Sequence, residues 1–256
     1  MSNINFEAPE PTPENAPVAP ATGARDRALV APLWHTIALV AFLFASVAWQ
    51  GHKLHAFGPR PFVVAHRVPM YLATIAFEWA LFGFVWLFGL RPTHTPVRSI
   101  IGGRWHGFGD VMKDIGIAFI FWVAVAGLLI ICRLALGANP TAERAVRALL
   151  PQTLVETLLW VALALSAGIC EEFVFRGYFQ RQFYALTGSD GAAVALQAIV
   201  FGAAHAYQGY RGVITITLYG VLFGILVILR RSLRPGMIQH FLQDASVVLL
   251  RFAPKH

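Results

Sequence analysis

Charged side chains are scarce in this sequence. Only 13% of its residues are Asp, Glu, Lys or Arg, against about a quarter in an ordinary soluble domain. That shortfall excludes a normally solvated surface over most of the chain. Cysteine is nearly missing too. Cys132 and Cys170 both lie in apolar runs, which makes them packing residues and excludes a disulfide framework. The strict apolar–polar alternation of half-buried strands is also lacking. No basic stripe is interleaved with aromatics, which argues against a nucleic-acid partner despite a net charge of +7.

What is present is hydrophobic sequence in long runs, 57% of all residues. Seven apolar segments stand out: Leu33 to Trp49, Pro69 to Leu90, Ile115 to Leu136, Val155 to Tyr184, Ala192 to Tyr207, Val213 to Leu229 and Met237 to Leu250. In lipid only helices and closed barrels satisfy their backbone. The expected fold class is therefore all-α, a polytopic transmembrane bundle of about seven spans. By length the first three segments and the sixth suit a full crossing of about 20 residues, whereas the fifth and seventh are short and marked by polar residues. Basic residues concentrate in the connectors, as topology signals and lipid-headgroup contacts. Their distribution slightly favours a cytoplasmic N-terminus. Residues 1–28, rich in Pro, Ala and Glu, read as a disordered tail without a signal peptide. Residues 29–150 supply N-terminal transmembrane helices, in one structural domain with residues 151–256.

Against this background the buried-grade polar residues are informative, because a charge at bilayer depth costs roughly 2.5 kcal/mol or more. Glu171 and Glu172 are adjacent, with Arg176 four residues after the second. On a helix Glu172 and Arg176 share a face and pair, and Glu171 is turned about 100° away. This assigns Glu172 and Arg176 to structural support and leaves Glu171 for chemistry. His205 follows the small residues Gly202, Ala203 and Ala204, which permit close helix approach. Glu171 and His205 stand about equally far, roughly 22 Å, from a turn expected at Gly188 to Gly191. His240 and Asp244 sit at i and i+4, the spacing at which two side chains grip one ion or water. If the sixth and seventh segments both crossed the bilayer, His205 and His240 would lie near opposite faces. One shared site therefore requires short or broken backbone, at 208–212 or at Arg234-Pro235-Gly236.

EEFVFR, FGAAH and HFLQD, in that order, resemble the three motifs of the CPBP intramembrane endopeptidases: EExxxR, FxxxH and HxxxN or HxxxD. That family includes type II CAAX prenyl endopeptidases and bacterial Abi or bacteriocin-immunity proteins. The resemblance covers roughly Thr153 to Leu250. It implies a membrane-embedded peptidase in which Glu171, assisted by His205, activates water. His240 and the residue at 244 would stabilise the oxyanion. Residues 151–256 would be the catalytic core. Position 244 is Asp where prenyl endopeptidases usually carry Asn, and an ionised Asp cannot donate to an oxyanion. Asp244 would then be protonated, orient His240, or join Glu171, His205 and His240 as a zinc ligand. The cofactor is accordingly none or zinc. Gln197, Tyr207, Gln208 and Gln239 are candidates to wet the site, or are helix–helix contacts.

Other protease signatures do not compete. HExxH and GxSxG are absent. Gly107-Phe108-Gly109-Asp110 spells GxGD, but in a connector with no second Asp in a neighbouring apolar span. His35 and Glu78 interrupt apolar segments and read as interior hydrogen-bonding groups or as the lining of a pathway. The expected partners are a peptide or protein substrate, lipidated or not, and membrane lipids, in a prokaryotic inner or plasma membrane. The rival reading is a non-catalytic immunity, chaperone or transport protein that keeps the polar cluster. A transporter should show an inverted repeat, and none is visible.

Overall fold

A computed structural model describes residues 27–57 and 66–252. The tail expected at 1–28 lies almost wholly outside them. The described residues are helical: α1 (Leu33–Phe57), α2 (Arg67–Phe84), α3 (Val97–Ile101), α4 (Phe108–Leu136), α5 (Pro140–Leu149), α6 (Leu154–Glu171), α7 (Gln180–Thr187), α8 (Asp190–Ala204), α9 (Gly209–Arg230) and α10 (Arg234–Ser246). No strand occurs among them, which agrees with the absence of alternation in the sequence.

Four helical stretches are long and apolar enough to cross a membrane: Arg67–Leu90, Phe108–Leu136, Leu154–Thr187 and Ala206–Arg230. Leu33–Trp49 and Asp190–Ala204 are shorter apolar helices. The bundle thus mixes full-length and short apolar helices; Leu33–Trp49, expected to make a full crossing, is among the short ones, and the fourth segment is the longest.

The longest stretch is built in three parts. A capping box starts α6: Thr153 Oγ1 accepts from the Glu156 amide, and the Glu156 carboxylate accepts from the Thr153 amide. This explains the ionisable residue at the start of that apolar run. A π-helical turn, Glu172–Phe179, then carries the helix into α7, and all eight of its residues are buried. Single π turns inside α-helices frequently mark functional sites. Gly188, at φ +69°, stops α7, and the Ser189 hydroxyl caps α8.

Small residues set the helix contacts. A Cβ on Gly168 would stand 2.8 Å from the Met237 carbonyl oxygen and 3.0 Å from the Phe241 nitrogen, so α6 and α10 meet backbone to backbone. A Cβ on Gly202 would collide with Thr217 Oγ1 and lie 2.9 Å from the Val213 carbonyl oxygen, which fixes α8 against α9. The Trp79 indole of α2 donates to Ser166 Oγ of α6 at 3.0 Å. The Trp160 indole of α6 donates to the Asp244 carbonyl at 2.9 Å, holding the far end of α10.

The break before the last helix falls three residues earlier than Pro235-Gly236. Arg231 is left-handed, at φ +51°, and Pro235 lies inside the first turn of α10, where its missing N–H costs nothing. The segment after α3 clamps this corner. The Leu233 amide donates to the Ile101 carbonyl at 2.8 Å, and Gly102, at φ +66°, packs so tightly on the Arg231 carbonyl that no Cβ fits.

Replacing Gly168 by Val is expected to push α10 off α6 and cost about 1–3 kcal/mol. Thermal unfolding of the detergent-solubilised protein would report it, and an unchanged transition would remove the backbone-contact account.

Candidate active site

The chain order of the three motifs does not explain how they meet; the helix lengths do. α8 is only 15 residues long, and it ends at His205. A single 3-10 turn, Ala206–Gln208, reverses the chain into α9. α9 then carries the chain roughly 33 Å away, and α10 turns back at once. His240 is therefore level with the middle of α9, its ring centroid 5.9 Å from Tyr219 and 5.8 Å from Phe223. It is also 6.5 Å from Phe201 on α8. Asp244, one turn on, approaches the His205 level, and the two are near enough to interact electrostatically.

A buried carboxylate holds the centre. Glu172 and Arg176 are both fully buried, and Arg176 Nη1 donates to Glu172 Oε1 at 3.0 Å. The same oxygen lies 2.9 Å from His240 Nδ1. An ionised carboxylate only accepts, so Nδ1 carries the proton and the second ring nitrogen faces away. The Arg176 guanidinium is stacked on Phe201 at 4.1 Å and Phe223 at 4.9 Å, a desolvated setting in which a cation–π contact adds up to about 2 kcal/mol.

The outward nitrogen of His240 looks toward two further carboxylates. Its Nε2 lies 3.8 Å from Glu171 Oε2 and 3.6 Å from Asp244 Oδ2. Neither separation is a direct hydrogen bond. Each leaves the distance that a shared water or carbonyl oxygen can bridge. The Glu171 side chain is 23% exposed and that of Asp244 38%, against none for Glu172. The two adjacent glutamates thus differ as their rotation on the helix requires, one sealed and one accessible. Three carboxylates around one imidazole favour its charged form.

His205 closes α8 and is half-buried. Its Nδ1 donates to the Phe201 carbonyl at 2.9 Å, which leaves Nε2 as the free nitrogen. Its ring packs on Phe201 at 4.8 Å and Tyr207 at 5.9 Å.

The remaining polar residues divide. Gln197 is buried and donates to the Val194 and Gly220 carbonyls, binding α8 to α9. Gln239 is buried and accepts from the Tyr219 hydroxyl. Both are helix–helix contacts, whereas Tyr207 and Gln208 are more exposed. His35 bonds to the Tyr178 hydroxyl at 2.8 Å, an interior role. Cys132 and Cys170 are free and buried. Sequence reasoning missed two connections. Glu172 holds His240 as well as Arg176. Glu78, buried on α2, interacts electrostatically with Glu171, His240 and Asp244. Its place in an apolar run was the available signal. Among the described residues no three His, Cys, Asp or Glu side chains are grouped so as to hold a metal ion.

Residues 152–246 match a family model described as type II CAAX prenyl endopeptidase Rce1-like. No curated protein and no solved structure matches the chain. The matched stretch runs from the α6 cap to the end of α10 and contains all three motifs. Over those 95 of its 256 residues the chain is similar to that family.

Arg176→Met would leave Glu172 buried with its fixed positive partner gone. The expected loss is about 3–5 kcal/mol of stability, read from unfolding in detergent. A variant as stable as the parent would show that the guanidinium does not sustain the carboxylate.

Proposed function

We propose, from the Rce1-like character of residues 152–246, that this chain hydrolyses peptide bonds within the membrane, with Glu171 as the base that activates water. The observation that carries the reading is the placement of His240: its inner nitrogen is bound by Glu172, and its outer one stands between Glu171 and Asp244.

Each residue then has a separate task. Glu171 takes a proton from water as the water oxygen bonds to the scissile carbonyl carbon. The carbonyl electron pair moves onto its oxygen, where charge develops. The His240 Nε2–H donates to that oxyanion, a placement worth about 3 kcal/mol or more in comparable sites. Collapse breaks the C–N bond, and the departing amine receives the proton held by Glu171. Glu172 and Arg176 do not touch the substrate. They fix which nitrogen of His240 faces it, as outer partners of catalytic histidines do.

Asp244 stands where the wider family usually has Asn. Among the roles open to it, orientation of His240 is supported by the 3.6 Å separation. As an anion beside the imidazole, Asp244 keeps it protonated and able to donate. His205 assists Glu171 through its free Nε2. The substrate is a peptide or protein segment entering from the membrane, with prenylated CAAX tails as the expected class.

Turnover of a fluorogenic CAAX-type peptide by the purified protein tests this. Glu171→Gln is expected to lower kcat by about a hundredfold or more, and undiminished turnover would dispose of the enzyme reading in favour of a binding protein. Asp244→Ala should reduce kcat while Asp244→Asn retains more, because Asn can itself donate to the oxyanion. Equal losses in the two variants would count against that role.

A further inference from the structure

Peptide hydrolysis places charge on the scissile carbonyl oxygen, and the site residues named above offer that oxygen a single donor. Glu171 and Asp244, as anions, only accept. His205 donates through Nδ1 to the Phe201 carbonyl, so its Nε2 is an acceptor as well. That leaves the His240 Nε2–H, whereas oxyanion sites gain their effect from several preorganised donors.

A second donor stands beside these groups. Tyr207 lies in the 3-10 turn Ala206–Gln208, two residues after His205. Its ring is 5.9 Å from that of His205. Its hydroxyl is near enough to Glu171 and Asp244 to interact electrostatically with both. The residue is 46% exposed, so a substrate can reach it.

The hydroxyl is also aimed. Gln208 Nε2 donates to it at 3.2 Å. That bond uses a lone pair of the phenol oxygen and leaves the O–H proton for another acceptor. Among the described residues none lies within hydrogen-bond reach of it. Gln208 is itself held in place. Its carbonyl accepts from Asn139 Nδ2 at 3.1 Å, and its side chain packs so closely over Gly212 that a Cβ there would stand 2.5 Å away. A tyrosine at the end of a membrane helix ordinarily anchors to lipid headgroups. Tyr210 fits that description, being 69% exposed and bonded to Arg211. Tyr207, packed on His205 with two carboxylates close by, does not.

We propose that the Tyr207 hydroxyl is a second oxyanion donor, acting with His240, and that Gln208 is the residue that positions it. The proposal rests on the protease reading and deepens it. The phenol keeps its proton throughout. Its hydrogen bond to the substrate oxygen strengthens as charge builds there and relaxes as the C–N bond breaks, so the proton balance of the reaction is unchanged.

The test compares the full-length parent, Tyr207→Phe, Asp244→Asn and the double variant on a fluorogenic CAAX-type peptide. Phe keeps the ring and its packing on His205, so the unfolding temperature in detergent should match the parent's, and kcat is compared below the unfolding temperatures of all four. Tyr207→Phe is expected to lower kcat about a hundredfold and to leave KM unchanged, because the oxyanion exists only beyond the ground state. An amide at position 244 donates where a carboxylate cannot. In the Asp244→Asn background the loss caused by Tyr207→Phe should therefore be at least roughly tenfold smaller. A tyrosine that only supports packing would give the same loss in both backgrounds. Parental turnover by Tyr207→Phe, a loss carried by KM alone, or equal losses in the two backgrounds overturns the proposal and leaves the protease reading standing. A parent that cleaves no peptide overturns the protease reading, and this proposal with it.

Discussion

One carboxylate oxygen organises the interior of this protein. Glu172 Oε1 accepts from Arg176 on its own helix and from His240 on α10. A buried carboxylate without such partners would be prohibitively costly in a low-dielectric interior. The π turn that begins at Glu172 buries both members of the pair, and the Phe201 and Phe223 rings exclude water from the guanidinium. α10 cannot leave its place on α6 without stripping a donor from that oxygen. The position of His240, and hence the geometry of the candidate site, follows from satisfying one buried charge.

The arrangement separates a sealed carboxylate from an accessible one within two consecutive residues. A helix turns about 100° per residue, so neighbours on the chain look in different directions. Glu172 looks into the aromatic core and is sealed there. Glu171 looks toward His240 Nε2 and Asp244 and keeps access to solvent. A single glutamate could not both anchor the histidine and exchange protons with a substrate. In the proposed reaction the pair divides those tasks, and the apolar helix around them tolerates the second charge because Glu171 faces His240.

Short helices serve the same end. α8 stops at His205 instead of continuing across the bundle, and α10 begins directly at a corner clamped by the residues after α3. Both choices bring backbone to the middle of the molecule, where a fully spanning helix would carry the histidines apart. Glycines at the helix contacts make the short elements stable, since the close approaches at Gly168 and Gly202 compensate in packing for what the short helices lack in length.

Much of this was legible in the residues. Long apolar runs imply helices whatever their tertiary neighbours, because backbone groups in lipid must bond within their own segment. The spacing of Glu172 and Arg176 implies their ion pair, as i and i+4 always share a helix face. The stop at Gly188 and the cap at Ser189 are local chemistry. Other features required the folded chain. Nothing local to His240 indicates that Glu172, 68 residues earlier, binds its inner nitrogen. The interior of Glu78 beside the other acids depends on how α2 packs on α6. The break before α10 was displaced because Pro235 is as compatible with a first helical turn as with a loop, and contact with Ile101 decided between them. The sequence by itself determined which segments are helical and which side chains are too polar to face lipid, because those are properties of single residues and their near neighbours. Only the tertiary structure decided which polar groups meet, because contacts between helices depend on the relative lengths and levels of segments far apart in the chain.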